Sequence, residues 1–129
     1  MFKADQFWIT IAETKGFSSE ATEVFTVNER ETLTDLLAVR PDIGDLIEGG
    51  GGVRVISWPA QSQPVGQVDV VYLFRDLNMP VFMLGIYASD DPLDLSQRER
   101  QKIAELVAEI VETYGLQKVA AFVGSNGVA

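Results

Sequence analysis

The sequence contains neither cysteine nor histidine. Without cysteine the chain can form no disulfide, no thiolate metal site and no thiol nucleophile. Without histidine it lacks the most common general base and the most common side-chain metal ligand. We therefore expect no cofactor and no metal, and any catalysis would depend on other side chains.

Long apolar runs are also missing. No run approaches the roughly 20 residues that span a bilayer, and Met1–Asp5 does not have the charged, apolar and small residues of a secretory signal in order. We therefore expect a cytoplasmic protein that does not bind membranes. With 129 residues, of which 47% are hydrophobic and 22% charged, the chain has the composition of one soluble globular domain.

Positive charge is scarce. Ten Lys and Arg residues stand against nineteen Asp and Glu residues, so the formal net charge is −9. Proteins that bind nucleic acids carry clustered Lys and Arg, because the backbone phosphates supply much of the affinity. Direct binding to nucleic acid is therefore not expected.

The most apolar stretch predicts a β-hairpin at the centre of a sheet. Its two halves, Val68–Arg75 and Val81–Ser89, are rich in β-branched and aromatic residues and flank a polar segment that contains Asp76, Asn78 and Pro80. Both halves are apolar on both faces, which is typical of central strands that are covered on two sides.

Two further strands and three helices are predicted around this hairpin. The strands cover Phe7–Ala12 and Val53–Trp58, and a short helix begins at Ser18 or Ser19. A second helix has capping-box spacing at Asn28 and Glu31 and ends at Arg40, because Pro41 follows.

A long last helix completes the predicted α+β domain. It begins at a capping box of Ser96 and Glu99 and ends at Gly115. The expected fold is a small antiparallel sheet of about four strands with two N-terminal helices and one long C-terminal helix. Residues 1–115 would form the domain, and residues 116–129 a partly apolar, mobile tail.

Four stretches of the chain, in order, form a pattern that spans roughly residues 13–114. They are Glu13-Thr14 and Phe17, Pro41–Ile47 with Val53-Arg54 and Trp58, Val70–Asp76, and Leu84–Ser89 with Asp94-Leu95-Ser96 and the last helix. This ordered set resembles the RelE/HigB-like toxins of bacterial toxin–antitoxin pairs, which are small ribosome-dependent mRNA endonucleases. The resemblance implies a RelE-like fold, a cognate antitoxin and an active-site tyrosine at the position of Tyr87.

The chain departs from this family where the family carries basic residues. Val55, Ser57, Asp69 and Ser89 stand at or near positions that are usually basic, and the loop Ala60–Gly66 lacks the usual Gly, Lys and Arg. Residues 41–97 contain two basic and eight acidic side chains. Metal-free RNA cleavage needs cations that stabilise the phosphate and a group that deprotonates the 2′-hydroxyl. We therefore expect the fold without the nuclease activity.

Three residues are candidates for a catalytic site, if the chain is a nuclease. Arg54 and Arg75 could form the remnant of a phosphate clamp, with Tyr87 beside them. The structural alternative is that both arginines pair with nearby Asp or Glu at strand ends and that Tyr87 belongs to the core.

Two further groups are candidates for binding a partner. One is loosely similar to the peptides that dock into the bacterial replication sliding clamp, by presenting a glutamine and two apolar anchors, although it could simply be the third strand. The other lies in the first turns of the last helix, where positive charge opposes the helix dipole, although it could be a solvated face. The residues are Gln67, Val68, Asp69, Val70 and Val71 in the first group, and Arg98, Arg100 and Lys102 in the second.

The sequence therefore predicts a RelE-like toxin that inhibits growth by binding a protein, with the sliding clamp as one candidate target, rather than an enzyme. The first alternative is a metal-free, ribosome-dependent mRNA endonuclease that uses Arg54, Arg75 and Tyr87. The second is a catalytically silent relic that only binds the antitoxin.

Overall fold

The computed structural model describes residues 8–88 and 96–125, with side chains up to Tyr114 in the second range. The chain divides into two compact units, with the boundary after Asp94. Within the described residues, the first unit holds five strands and two helices, and the second holds one helix. The predicted α+β class is confirmed. The predicted division into residues 1–115 and a tail stays a prediction, and the tail's side chains lie outside the described residues.

Helix α1 (Lys15–Val24) begins at Thr14, whose hydroxyl accepts a hydrogen bond from the Phe17 amide. The sequence placed this start at Ser18 or Ser19, which was wrong. Thr14 is better suited because its hydroxyl also donates to the carbonyl of Met83, a residue far away in the chain, which fixes the start of the helix on the sheet.

Helix α2 (Val27–Val39) begins at Thr26, and Glu29 completes the capping box. The predicted box of Asn28 and Glu31 was therefore wrong by two residues. The predicted end of this helix at Arg40 is confirmed.

The described sheet has five strands. They are β1 (Ile11–Glu13), β2 (Asp45–Leu46), β3 (Val53–Pro59), β4 (Gln67–Leu73) and β5 (Val81–Ala88). Their spatial order is β1-β5-β4-β3-β2. Strand β4 is the middle strand and β5 lies beside it, which confirms that the apolar hairpin forms the centre.

The sheet is mixed, and the expectation of an antiparallel sheet of about four strands was wrong. Strand β1 pairs with β5 in parallel, whereas the other neighbours are antiparallel. Trp8–Thr10 lie outside the first strand, which begins only at Ile11. The additional strand β2 has two residues, too few for a periodic signal in the sequence.

Helices α1 and α2 contribute to one core with one face of this sheet. Aromatic and aliphatic side chains from both helices and from β4 and β5 are buried together. The cluster contains Phe17, Ala21, Phe25, Leu33, Leu37, Ala60, Val68, Val70, Tyr72, Val81, Met83 and Ile86.

A β-bulge in the central hairpin decides which face each side chain of β5 occupies. Val71 pairs with Gly85 and Tyr72 with Met83, so Leu84 is an extra residue on β5. Val81 and Met83 therefore belong to the helix-packed core before the bulge, and Ile86 belongs to it after the bulge. In a regular strand, Tyr87 would share a face with Met83; the bulge moves it to the other face.

Helix α3 (Gln97–Ser125) forms the second unit. Its predicted capping box is confirmed, because Ser96 Oγ accepts from the Glu99 amide and the Glu99 carboxylate accepts from the Ser96 amide. The predicted end at Gly115 was wrong, since the helix continues through that glycine. A glycine lowers helix propensity by about 1 kcal/mol, which does not by itself end a helix.

Candidate functional site

Arg54 is held by backbone carbonyl groups. It lies on β3 opposite Tyr72 of β4, and therefore on the helix-packed face of the sheet. Its Nη1 donates to the carbonyl oxygens of Asp42, at 3.0 Å, and of Gly44, at 2.8 Å. The predicted pairing with a carboxylate is thus replaced by hydrogen bonds that hold the segment before β2.

Tyr72 holds the same segment from inside the core. Its hydroxyl donates to the Pro41 carbonyl and accepts from the Gly44 amide, both at 2.8 Å. Burial raises the pKa of the Tyr72 phenol, so the hydroxyl stays protonated and remains a donor at neutral pH. A Cβ atom at position 44 would lie 2.7 Å from this hydroxyl, which explains the glycine.

Arg75 lies beyond the end of β4 and is exposed. Its Nη1 donates to the carbonyl of Gly51 at 3.0 Å. Gly51 and Gly52 have positive φ angles of 69° and 108°, and a Cβ at Gly52 would lie 2.8 Å from the Phe74 carbonyl. Arg75 therefore closes the glycine-rich turn between β2 and β3.

Tyr87 lies on the sheet face opposite to Arg54. It pairs with Asp69 of β4, and its ring lies over Gly85, where a Cβ would come within 3.1 Å of it. Asp69 and Tyr72 are three residues apart on a regular stretch of β4, so they point to opposite faces. The sheet therefore separates the Tyr87 side chain from that of Arg54, and these residues do not share one phosphate site.

The segment that is similar to sliding-clamp-binding peptides, Gln67–Val71, belongs to the middle strand of the sheet, β4. Gln67 is exposed, but the four residues that follow it are buried and paired with both β3 and β5. The two apolar anchors are thus accessible only if β4 leaves the sheet. The buried residues are Val68, Asp69, Val70 and Val71.

The three basic residues of the last helix lie at the start of α3, and all three are exposed. They belong to the second unit, whereas the other candidates belong to the first. Their role in binding a partner stays a prediction. These residues are Arg98, Arg100 and Lys102.

A pocket of about 320 Å³ lies where β2 meets β3, and the sequence did not indicate it. Asp69 lines this pocket although only 2% of the residue is exposed, and its Oδ1 accepts a hydrogen bond from Ser57 Oγ at 2.9 Å. Ser57 and Asp69 are a cross-strand pair. The residues that line the β2–β3 pocket are Ile43, Gly44, Asp45, Val55, Ile56, Ser57 and Asp69.

One signal in the sequence could have identified part of this pocket. Asp69 is a charged residue inside the apolar run of β4, and Ser57 interrupts the apolar run of β3. A charge that is buried in a sheet needs a polar neighbour, so the pairing of these two residues was foreseeable. The contribution of Asp45 was not foreseeable, because the two-residue strand β2 is too short to give a periodic pattern in the sequence.

The candidate positions of the first unit hold carboxylates and arginines that are bound to the backbone. Its two candidate arginines donate to backbone carbonyls, and the β2–β3 pocket is lined by carboxylates and aliphatic groups.

Metal binding and membrane crossing are not indicated by the described residues. No group of three or more Asp or Glu side chains among them could hold a metal ion. None of the described helices combines the length and apolarity that crossing a membrane requires.

The sequence matches no protein-family model.

Proposed function

We propose that this chain is the toxin component of a bacterial toxin–antitoxin pair with a RelE-like fold, and that it inhibits growth by binding a protein rather than by cleaving RNA. One observation carries the second half of the proposal. Arg54 and Tyr87 lie on opposite faces of the sheet, and Arg54 Nη1 already donates to two backbone carbonyls.

The order of the elements supports the first half. A strand and two helices precede a meander of strands, and a long helix follows, as the resemblance to the family implies. Of the residues that carry the resemblance, Glu13 ends β1, Thr14 caps α1, Arg54 lies on β3 and Tyr72 lies on β4. Ser89, Asp94 and Leu95 lie outside the described residues.

The chemistry of RNA cleavage supports the second half. A developing phosphorane charge requires preorganised cationic or hydrogen-bond donors, and the loss of one such donor typically costs on the order of 100- to 1,000-fold in rate. Arg54 would have to give up two carbonyl partners and would still not reach Tyr87. Acidic side chains around β2, namely Asp42, Asp45 and Glu48, would repel a phosphate.

The identity of the protein target is a separate question. The sliding clamp stays a candidate through Gln67–Val71, but binding in that way requires β4 to leave the centre of the sheet. The cost would include the ladder hydrogen bonds to both neighbouring strands. A surface that is already exposed in the folded state is the less costly route to a partner.

Expression of the protein without an antitoxin, followed by growth curves and ribosome co-sedimentation, tests the proposal. We expect growth arrest with intact ribosome-bound mRNA, and we expect Tyr87→Phe to arrest growth equally well. New mRNA ends that disappear in Tyr87→Phe would overturn the proposal in favour of the endonuclease. Normal growth at a confirmed level of folded protein would overturn it in favour of the relic that only binds an antitoxin.

A further inference from the structure

We infer that the β2–β3 pocket receives a lysine or arginine side chain from a partner polypeptide. This inference rests on the proposed function in one respect, that the chain acts by binding a protein. It adds the place of contact and the chemistry of the residue that is bound. The pocket lies on the face of the sheet that carries Asp69, away from the α1 and α2 core.

The lining of the pocket matches the two parts of a basic side chain. Ile43 and Val55 supply apolar surface, and the Ser57–Asp69 pair supplies a polar end. Lysine and arginine side chains have two matching parts, because an apolar stem carries a charged head group. The volume of about 320 Å³ lies at the lower end of the range for ligand pockets and suits a single side chain.

The carboxylates that line the pocket favour the binding of a cation. Asp69 is almost completely buried, so its attraction for a cation is screened less than that of a surface carboxylate. Asp45 adds a second, exposed carboxylate at the mouth. No lysine or arginine is among the described residues that line the pocket. The nearby Arg54 starts from the other face of the sheet, and its guanidinium donates to the carbonyl of the lining residue Gly44. The carboxylates of Asp45 and Asp69 would repel an anionic group.

The surroundings of the pocket indicate a polypeptide rather than a free small molecule. Strand β2 is at the edge of the sheet, and Ile43, which lies just before this strand and lines the pocket, is 40% exposed. A peptide that places a basic residue in the pocket could cover this apolar side chain with its neighbouring residues. The net charge of −9 would speed the approach of such a basic segment.

NMR titration of the full chain with N-acetyl-lysine methylamide tests the inference, with N-acetyl-norleucine methylamide as the control that keeps the stem and removes the ammonium group. We expect saturable shifts of the Asp45, Ser57 and Asp69 amides with the lysine compound only. Asp69→Asn should weaken this binding about tenfold, and Asp45→Asn, at an exposed position, about two- to threefold. Asp35→Asn, the same charge change on the exposed side of α2, should leave it unchanged.

Equal shifts with both compounds, or no saturation with the lysine compound, would overturn the inference. If Asp69→Asn does not fold, the comparison of Asp45→Asn with Asp35→Asn tests the inference instead. Equal affinity of these two variants for the lysine compound would contradict binding in the pocket. Growth arrest without lysine binding would contradict the pocket inference and leave the toxin proposal in place. Lysine binding without growth arrest would contradict the toxin proposal and leave the pocket inference in place.

Discussion

At the scale of single residues, the hydroxyl of Tyr72 connects the core to the segment that leads into β2. Tyr72→Phe removes the partner of the Gly44 amide and of the Pro41 carbonyl, both of which face the buried hydroxyl. A buried polar group that loses its partner costs about 1–3 kcal/mol. We expect a loss of this size in the free energy of unfolding, measured with urea.

The control for this prediction is Tyr87→Phe, which lies on the other face of the sheet and is only partly buried. We expect it to change the unfolding free energy less than Tyr72→Phe does. An unchanged urea midpoint in Tyr72→Phe would show that water replaces the hydroxyl at both backbone groups.

Two glycines provide a matched pair at the same scale. In Gly44→Ala the new Cβ would lie 2.7 Å from the Tyr72 hydroxyl and 3.0 Å from the Val55 carbonyl, so the segment must shift. In Gly16→Ala the Cβ meets nothing within 4 Å and the residue is in α1. We expect Gly44→Ala to lower the thermal midpoint and Gly16→Ala to raise stability by about 0.4–1 kcal/mol.

The pair also bears on the β2–β3 pocket, because Gly44 lines it. A shift of this segment should reduce lysine binding in Gly44→Ala even where the protein stays folded. Equal stability of the two alanine variants would mean that the segment before β2 adapts without cost.

At the scale of elements, Glu29 joins the start of α2 to the end of β3. One carboxylate oxygen accepts from the Thr26 amide at 2.8 Å and the other from the Gln61 amide at 2.9 Å, while the Glu29 carbonyl accepts from the Trp58 indole. The hydrogen bond from the Thr26 amide holds the pKa of Glu29 below its usual range.

This low pKa predicts a pH dependence of stability. Because the unfolded chain binds the Glu29 proton more tightly than the folded chain, the contribution of Glu29 is complete above its unfolded pKa of about 4.3 and is lost as the pH falls through the lower folded value. In Glu29→Gln we expect a lower unfolding free energy near pH 7 and a smaller loss upon acidification. Denaturant titrations between about pH 3 and pH 7 measure both effects.

Glu31→Gln is the matched control, since Glu31 is exposed on the same helix. We expect it to follow the wild-type pH dependence closely. A Glu29→Gln curve that runs parallel to the wild-type curve at all pH values would contradict the assigned role of this carboxylate.

The same elements show what local patterns in the sequence could predict. The apolar hairpin, the end of α2 before Pro41 and the Ser96 capping box are local signals, and they were predicted correctly. The start of α2 was not, because both Thr26 with Glu29 and Asn28 with Glu31 have suitable spacing. The choice is made by Gln61, whose distant amide donates to Glu29.

The candidate site depended on features that local patterns do not contain. Regular alternation along β5 would place Tyr87 on the same face as Met83, and thus on the face of Arg54. The extra residue Leu84 reverses that relation, and the bulge results from the pairing of two strands rather than from either one alone. The parallel pairing of β1 with β5 was unpredictable for the same reason.

At the scale of the whole molecule, the charge balance separates RNA from basic polypeptides as partners. The net charge of −9 opposes any polyanion, and the candidate phosphate ligands Arg54 and Arg75 donate to backbone carbonyls. Proteins that bind nucleic acid nonspecifically do so with a Kd of about 10⁻⁴ to 10⁻⁶ M at physiological salt. We expect a labelled single-stranded RNA to show no saturable anisotropy change in that concentration range.

A labelled lysine-rich peptide of similar length is the matched probe of opposite charge. We expect it to bind, and we expect its affinity to fall as salt shortens the Debye length from about 30 Å at 0.01 M to about 8 Å at 0.15 M. Because Asp69 is buried, the part of the binding that Asp69→Asn removes should depend on salt less than the remainder does. Micromolar RNA binding that weakens with salt would show instead that a local cationic surface outweighs the net charge, and would reopen the endonuclease alternative.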